Sequence, residues 1–159
     1  MLQKNDSLSA VGNVRTKNDY RDRQLRRIAL LSSIGLADFI PITLYQLGVI
    51  RHLPDPPGKI FDSDKINSSR EAQVAGIPDG VVSLVLYSAT TALAAAALAD
   101  RIKPELARAL IAGVLAGQAA GAAYYLVNMV KVQRRICPYC VTGALVNFLA
   151  LVPLRKLFK

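Results

Sequence analysis

The chain has two cysteines, one histidine and no tryptophan among 159 residues. Each scarcity closes off a kind of chemistry. A structural zinc site takes four ligands, and Cys137, Cys140 and the distant His52 do not supply them. The two cysteines sit three apart, so a bridge between them closes too small a loop to contribute much chain entropy. Charge is absent from three long apolar runs, Gly80–Ala99, Ala109–Val130 and Cys137–Leu154. A fourth run, Ile28–Ile50, is broken only by Asp38 and lacks the A-x-A-like site that follows a cleaved signal peptide.

Apolar residues make up 52% of the chain and charged residues 19%, too greasy for an average soluble domain and too charged for membrane spans alone. The four runs are 18 to 23 residues long, close to the roughly 20 that an α-helix needs to cross a hydrocarbon core. They predict an all-α integral membrane four-helix bundle. The expected organisation is a basic tail over 1–27 and a four-span domain over 28–157. Residues 158–159 form the C-terminal end, and an outer loop over 51–79 carries a short helix.

The net charge of +9 raises the question of nucleic acid, but its distribution points to a membrane. Thirteen of the 20 basic residues lie before the first run, around 101–108 or after the last run. Basic residues flanking spans stay cytoplasmic. Both termini and the 100–108 connection are therefore predicted inside, with the 51–79 loop and the 131–136 connection outside. The basic KVQRR segment is an exception that this topology tolerates. The tail is predicted to be mobile, turning helical near Tyr20–Arg27 on anionic headgroups. Membrane lipid is the expected neighbour and no nucleic acid is expected.

Between the first two runs, three prolines and a glycine in Pro54–Gly58 exclude a regular helix. NSSREAQVAG then offers Asn67 or Ser68 as an N-cap, a helical turn and a Gly76 stop. In the third run Gly113, Gly117 and Gly121 share one face, predicting close helix packing, with a cofactor groove as the minor reading. Asp38 marks either a polar pathway or a neutral structural acid. Asn128, Gln118 and Asn147 read as interhelical hydrogen-bonding groups, and Asn147 lies two turns from Cys140 on nearly the same face. Tyr124 and Tyr125 suit an interfacial belt. His52 reads as a solvent-exposed imidazole, with a proton carrier as the lesser alternative.

CPYC carries the most specific chemistry. Cysteines at i and i+3 put both sulfurs on one helix face. At a helix N-terminus, first-turn N–H groups and the macrodipole stabilise a thiolate, while Pro138 costs little in the first turn. Arg134 and Arg135 add positive charge upstream. A redox-active pair leads over a static disulfide or two inert thiols.

CPYCVTGALVNF opening the fourth span, together with INSSREAQVAGIPDGVVSLVLY leading into the second, resembles the vitamin K epoxide reductase family, including its bacterial disulfide-generating members. The resemblance covers roughly 28–157. It implies that Cys140 faces a quinone of ubiquinone or menaquinone type and that Cys137 exchanges disulfides with a thiol substrate. It also implies that Ser68 and Ser69 match the family's outer-helix serine pair. Asp79 stands where relatives place an asparagine that hydrogen-bonds a quinone carbonyl, and Asn147 is a further pocket candidate. The loop lacks the family's second cysteine pair, Ser63 occupying one of those places, and Ala144 replaces a tyrosine. With no thioredoxin-like segment in the chain, two functions are expected. One is quinone-linked thiol–disulfide exchange with a separate thioredoxin-like protein. The alternative is a non-catalytic small subunit of a larger membrane complex. The expected location is the inner (plasma) membrane, multi-pass, with the CxxC on the periplasmic or extracytoplasmic side.

Overall fold

The computed structural model describes residues 2–158, with side chains from Asn18 onward. Four helices are long and apolar enough to cross a membrane: Asn18–Gln46, Asp79–Leu98, Pro104–Gln133 and Pro138–Leu157. The first belongs to α1 (Leu2–Gln46), a helix continuous with the basic segment. The mobility expected of residues 1–17 lies outside the described side chains. From residue 18 onward the segment is helical, and Gln24 and Leu25 are already buried, ahead of Ile28.

Local chemistry sets where each helix stops. The first apolar run extends to Ile50, yet α1 ends at Gln46 because Gly48 adopts φ +73°. Left-handed backbone at this position lets Gly48 N–H reach the Tyr45 carbonyl (2.9 Å) and Val49 N–H reach that of Leu44 (2.8 Å). The outer loop contains α2 (Ser63–Asn67), a 3₁₀ turn at Arg70–Ala72, and a two-residue antiparallel hairpin of β1 (Gln73–Val74) and β2 (Ile77–Pro78). Ala75 and Gly76 both take positive φ at its tip, as a tight hairpin turn requires. The capping expected of Asn67 or Ser68 is not what forms. Asp62 caps α2 by accepting from Lys65 N–H, Asn67 is the last helical residue, and Gly76 turns a hairpin.

α3 (Asp79–Leu98) follows directly. α4 (Pro104–Asn128) starts earlier than its apolar run because Pro104 is preorganised for a first helical turn. It continues as a π-turn over Met129–Gln133 and stops where Arg134 takes φ +53°. α5 (Pro138–Leu157) ends on Arg155 and Lys156, where positive charge suits the carbonyl end of the helix. α1 packs on α3 and α5, and α4 closes the ring against both.

Two buried clusters sit at opposite ends. Leu25, Ile28, Ala94, Ile111, Leu115 and Leu154 fill one end, while Ile66, Met129 and Cys137 lie beneath the loop at the other. Between them Tyr87 packs on Phe39, ring centroids 5.6 Å apart, and its hydroxyl donates to the Gly143 carbonyl (3.3 Å). That ring fits because Gly35 has no side chain: a Cβ there would meet the Tyr87 ring at 2.4 Å. The Gly113–Gly117–Gly121 stripe behaves otherwise. A Cβ at any of the three would meet nothing within 4 Å, and Gly113 and Gly117 are exposed. It is not a helix-packing face, because the neighbours of α4 contact its other sides. Large apolar side chains such as Leu30, Val85, Leu110 and Leu149 point outward, the arrangement expected of a bundle solvated by lipid tails.

Candidate dithiol and adjoining cavity

Cys137 is the N-cap of α5, with extended backbone (φ −105°, ψ 111°), and Cys140 lies in the first turn. A cap residue's side chain normally accepts from the free N–H groups of that turn. Here the acceptor is sulfur: Cys140 N–H donates to Cys137 Sγ at 3.2 Å. Both cysteines are free thiols; Cys137 is wholly buried and Cys140 is half-buried.

The outer loop forms the roof. Phe61 bridges Ile136 in parallel, with Asp62 N–H donating to the Ile136 carbonyl (3.1 Å) and Ile136 N–H to that of Ile60 (2.9 Å). This register sets Ser63 and α2 beside Cys137. Ser63 is fully buried, and its N–H and hydroxyl both donate to Asp55, at 2.7 and 2.6 Å. Asn67, one turn on, donates from Nδ2 to the Ser63 carbonyl (2.8 Å) and to Cys137 Sγ (3.4 Å). Its Oδ1 faces Cys140 Sγ at 3.9 Å. On the far side, the π-turn brings Met129 Sδ within 3.2 Å of the Cys137 N–H.

These groups shift the acidity of Cys137. Hydrogen bonding from Cys140, whose N–H points at the sulfur, contributes most, and the Asn67 amide adds to it. Against the opposing effect of burial, they lower the Cys137 thiol below its ordinary value. Ser63 has one hydroxyl proton and gives it to Asp55, so it offers the sulfur an acceptor rather than a donor. The arginines play less part than the sequence suggests. Arg135 is turned to the loop, donating to the Lys59 carbonyl (2.6 Å), and Arg134 is exposed.

Cys140 borders a cavity of about 260 Å³ within the bundle. Its walls are largely apolar, including Phe39, Leu86, Tyr87 and Ala144, with Asp79, Gln118 and Asn147 as polar groups. Gly117 and Gly121 form the α4 edge. Asp79 is the first residue of α3, and its carboxyl is already engaged: Gln46 Nε2 donates to it at 2.5 Å, while Gly80 N–H donates to Gln46 Oε1 at 2.9 Å. By contrast, neither amide atom of Gln118 has a partner among the described residues, and neither does Asn147 Oδ1. Asp38 lies behind the wall; its Oδ2 also lacks a partner and approaches Gly143.

The structure therefore brings Cys140, Asp79 and Asn147 to one cavity and sets Cys137 beneath the loop beside it. Ser68 and Ser69 stand elsewhere. Ser68 is exposed, with its hydroxyl on the Lys65 carbonyl (3.4 Å). Ser69 donates to the Ile66 carbonyl (2.7 Å) and accepts from Gln133 (3.1 Å). Sequence reasoning missed Asn67 as a sulfur neighbour and Gln118 as a cavity group. The first depends on the loop's register against Ile136, which no local pattern encodes. For the second, a glutamine within an uncharged span was the available signal.

Residues 26–153 match the description "Vitamin K epoxide reductase family". No curated protein matches the chain. A match over most of the chain, on a four-span bundle whose last helix opens with a cysteine pair, identifies this multi-pass membrane protein as a member of the vitamin K epoxide reductase family.

Proposed function

We propose that the chain is a membrane thiol–disulfide oxidoreductase passing electron pairs between a thiol protein and a membrane quinone through Cys137 and Cys140. The cavity beside Cys140 carries this reading. It is apolar enough for a quinone ring; the unpaired Gln118 amide offers a donor to a ring carbonyl, and Asn147 Oδ1 offers an acceptor to a quinol hydroxyl. Bound there, a quinone supplies a two-electron, two-proton acceptor.

The residues of the chain provide the rest. Closing the Cys137–Cys140 bond removes two electrons and two protons from the pair. A partner thiolate then attacks Cys137, forming a mixed disulfide and releasing Cys140 as the leaving thiolate. The partner's second thiolate attacks its own bridging sulfur and frees Cys137. In sum, two partner thiols become one disulfide, and the electron pair with two protons reaches the acceptor; the same steps reversed run the other way. Gln46 holds the Asp79 carboxyl at the outer end of the cavity. Because Cys137 is covered, exchange with a protein such as a thioredoxin-like partner requires segment 53–67 to lift. The basic flanks support an orientation with the pair on the non-cytoplasmic face of the plasma (inner) membrane.

That cover, with no cysteine in the loop, favours a second reading: a small membrane subunit whose cysteines do not turn over. Proteoliposomes containing a quinone and a reduced thioredoxin-like protein separate the two. Cys137→Ser and Cys140→Ser should each abolish quinone-dependent thiol oxidation. Unchanged turnover in both would reject the redox reading. A stoichiometric copurifying protein with no quinone reduction by dithiols would establish the subunit.

A further inference from the structure

Asn67 contacts both sulfurs, and its amide cannot be turned the other way without loss. The Ser63 carbonyl only accepts, so the nitrogen at 2.8 Å must be the NH₂ end. The second N–H then falls on Cys137 Sγ (3.4 Å), and the carbonyl oxygen is left facing Cys140 Sγ (3.9 Å). The two ends ask opposite things of the two sulfurs. An N–H donor is satisfied by a thiolate, whereas a carbonyl oxygen is satisfied by an S–H and repelled by a thiolate. The backbone adds the same bias, since Cys140 N–H also donates to Cys137 Sγ (3.2 Å). Asn67 is itself held: it is 4% exposed, and Gln46 Nε2 donates to its backbone carbonyl (3.2 Å).

We infer that Asn67 is the positioning residue of the dithiol, its amide hydrogens holding Cys137 as the thiolate and its carbonyl oxygen keeping the proton on Cys140. For turnover, the inference rests on the redox reading given above. It makes Cys137 the sulfur that enters exchange and Cys140 the one that releases its proton on the cavity side when the disulfide closes. It also gives α2 a task in a loop without cysteines. The same residue that roofs the pair sets its protonation order, so lifting the roof for a partner removes one donor from the Cys137 thiolate and leaves it more nucleophilic.

A purely structural Asn67, bonded to Ser63 one turn back, would affect stability but not the order of ionisation. The test is a pH titration of the reduced full-length protein in detergent, following the Cβ signals of ¹³C-labelled cysteine assigned with single Cys→Ser variants. In the unsubstituted protein Cys137 should ionise first; Cys140 ionising first overturns the inference. In Asn67→Ala and Asn67→Asp the Cys137 midpoint should rise by about one pH unit or more, a roughly tenfold loss of thiolate below the midpoint. Asp should shift it further, because a carboxylate repels the thiolate. An unmoved midpoint in either folded variant also overturns the inference. The readout uses neither quinone nor partner, so absent turnover with the midpoint shifts of the Asn67 variants intact counts against the redox reading and supports the role of Asn67.

Discussion

At the scale of single residues, two of the groups facing the cavity were legible for different reasons. Cys140 was identified because two cysteines three apart are conspicuous wherever they fall. Asn147 followed from helical spacing alone. Gln118 was expected to satisfy a neighbouring helix, but its amide borders the cavity and finds no partner among the described residues. Replacing Gln118 with leucine should raise the KM for a short-chain quinone roughly three- to tenfold, the size of one neutral hydrogen bond. The rate of dithiol reoxidation at saturating quinone should change little. Gly35 makes the opposite kind of prediction. Alanine in a helix interior gains about 1 kcal/mol over glycine, yet here its Cβ meets a Tyr87 ring that is 2% exposed and tied to Gly143. Overpacking of this kind costs about 1–3 kcal/mol. Gly35→Ala should therefore lower the unfolding midpoint in detergent, and Gly113→Ala, with open space, should not.

Among the elements, the membrane helices were readable because each needs only a long uncharged run. Their ends were less so, since single residues decide them. Gly48 stops α1 before its apolar run is finished, and Pro104 starts α4 before its run begins. The loop was hardest to read, because its contacts are long-range. Asp64 accepts from Leu53 N–H (2.8 Å) and pairs with His52, while the Tyr139 hydroxyl donates to the Pro54 carbonyl (2.9 Å). The Asp64 contact raises the exposed His52 above its ordinary 6.5. A histidine whose value is raised on folding stabilises fully below its unfolded value and loses that contribution as pH rises through the folded one. Hydrogen exchange at Leu53, corrected for intrinsic rate, should thus be slower at about pH 6 than at about pH 9. His52→Asn should remove that difference.

For the whole molecule, the ring of α1, α3, α4 and α5 places the dithiol at one end and the Arg101–Arg108 connection with the C-terminus at the other. Charge counting predicts that the dithiol end faces outside. Single cysteines introduced at Lys59 and Asp100 in a Cys137→Ser, Cys140→Ser background test the orientation. In intact cells a membrane-impermeant maleimide should label position 59 and spare position 100; the reverse pattern would put the dithiol in the cytosol. Electron transfer through the dithiol, unlike orientation, leaves a stoichiometry that can be counted. The reduced protein, purified anaerobically, is mixed with a short-chain quinone and its thiols are counted. Two thiols should be lost and one quinol formed per chain, with no loss in Cys140→Ser. Quinone left unreduced, with both thiols intact, would contradict that transfer.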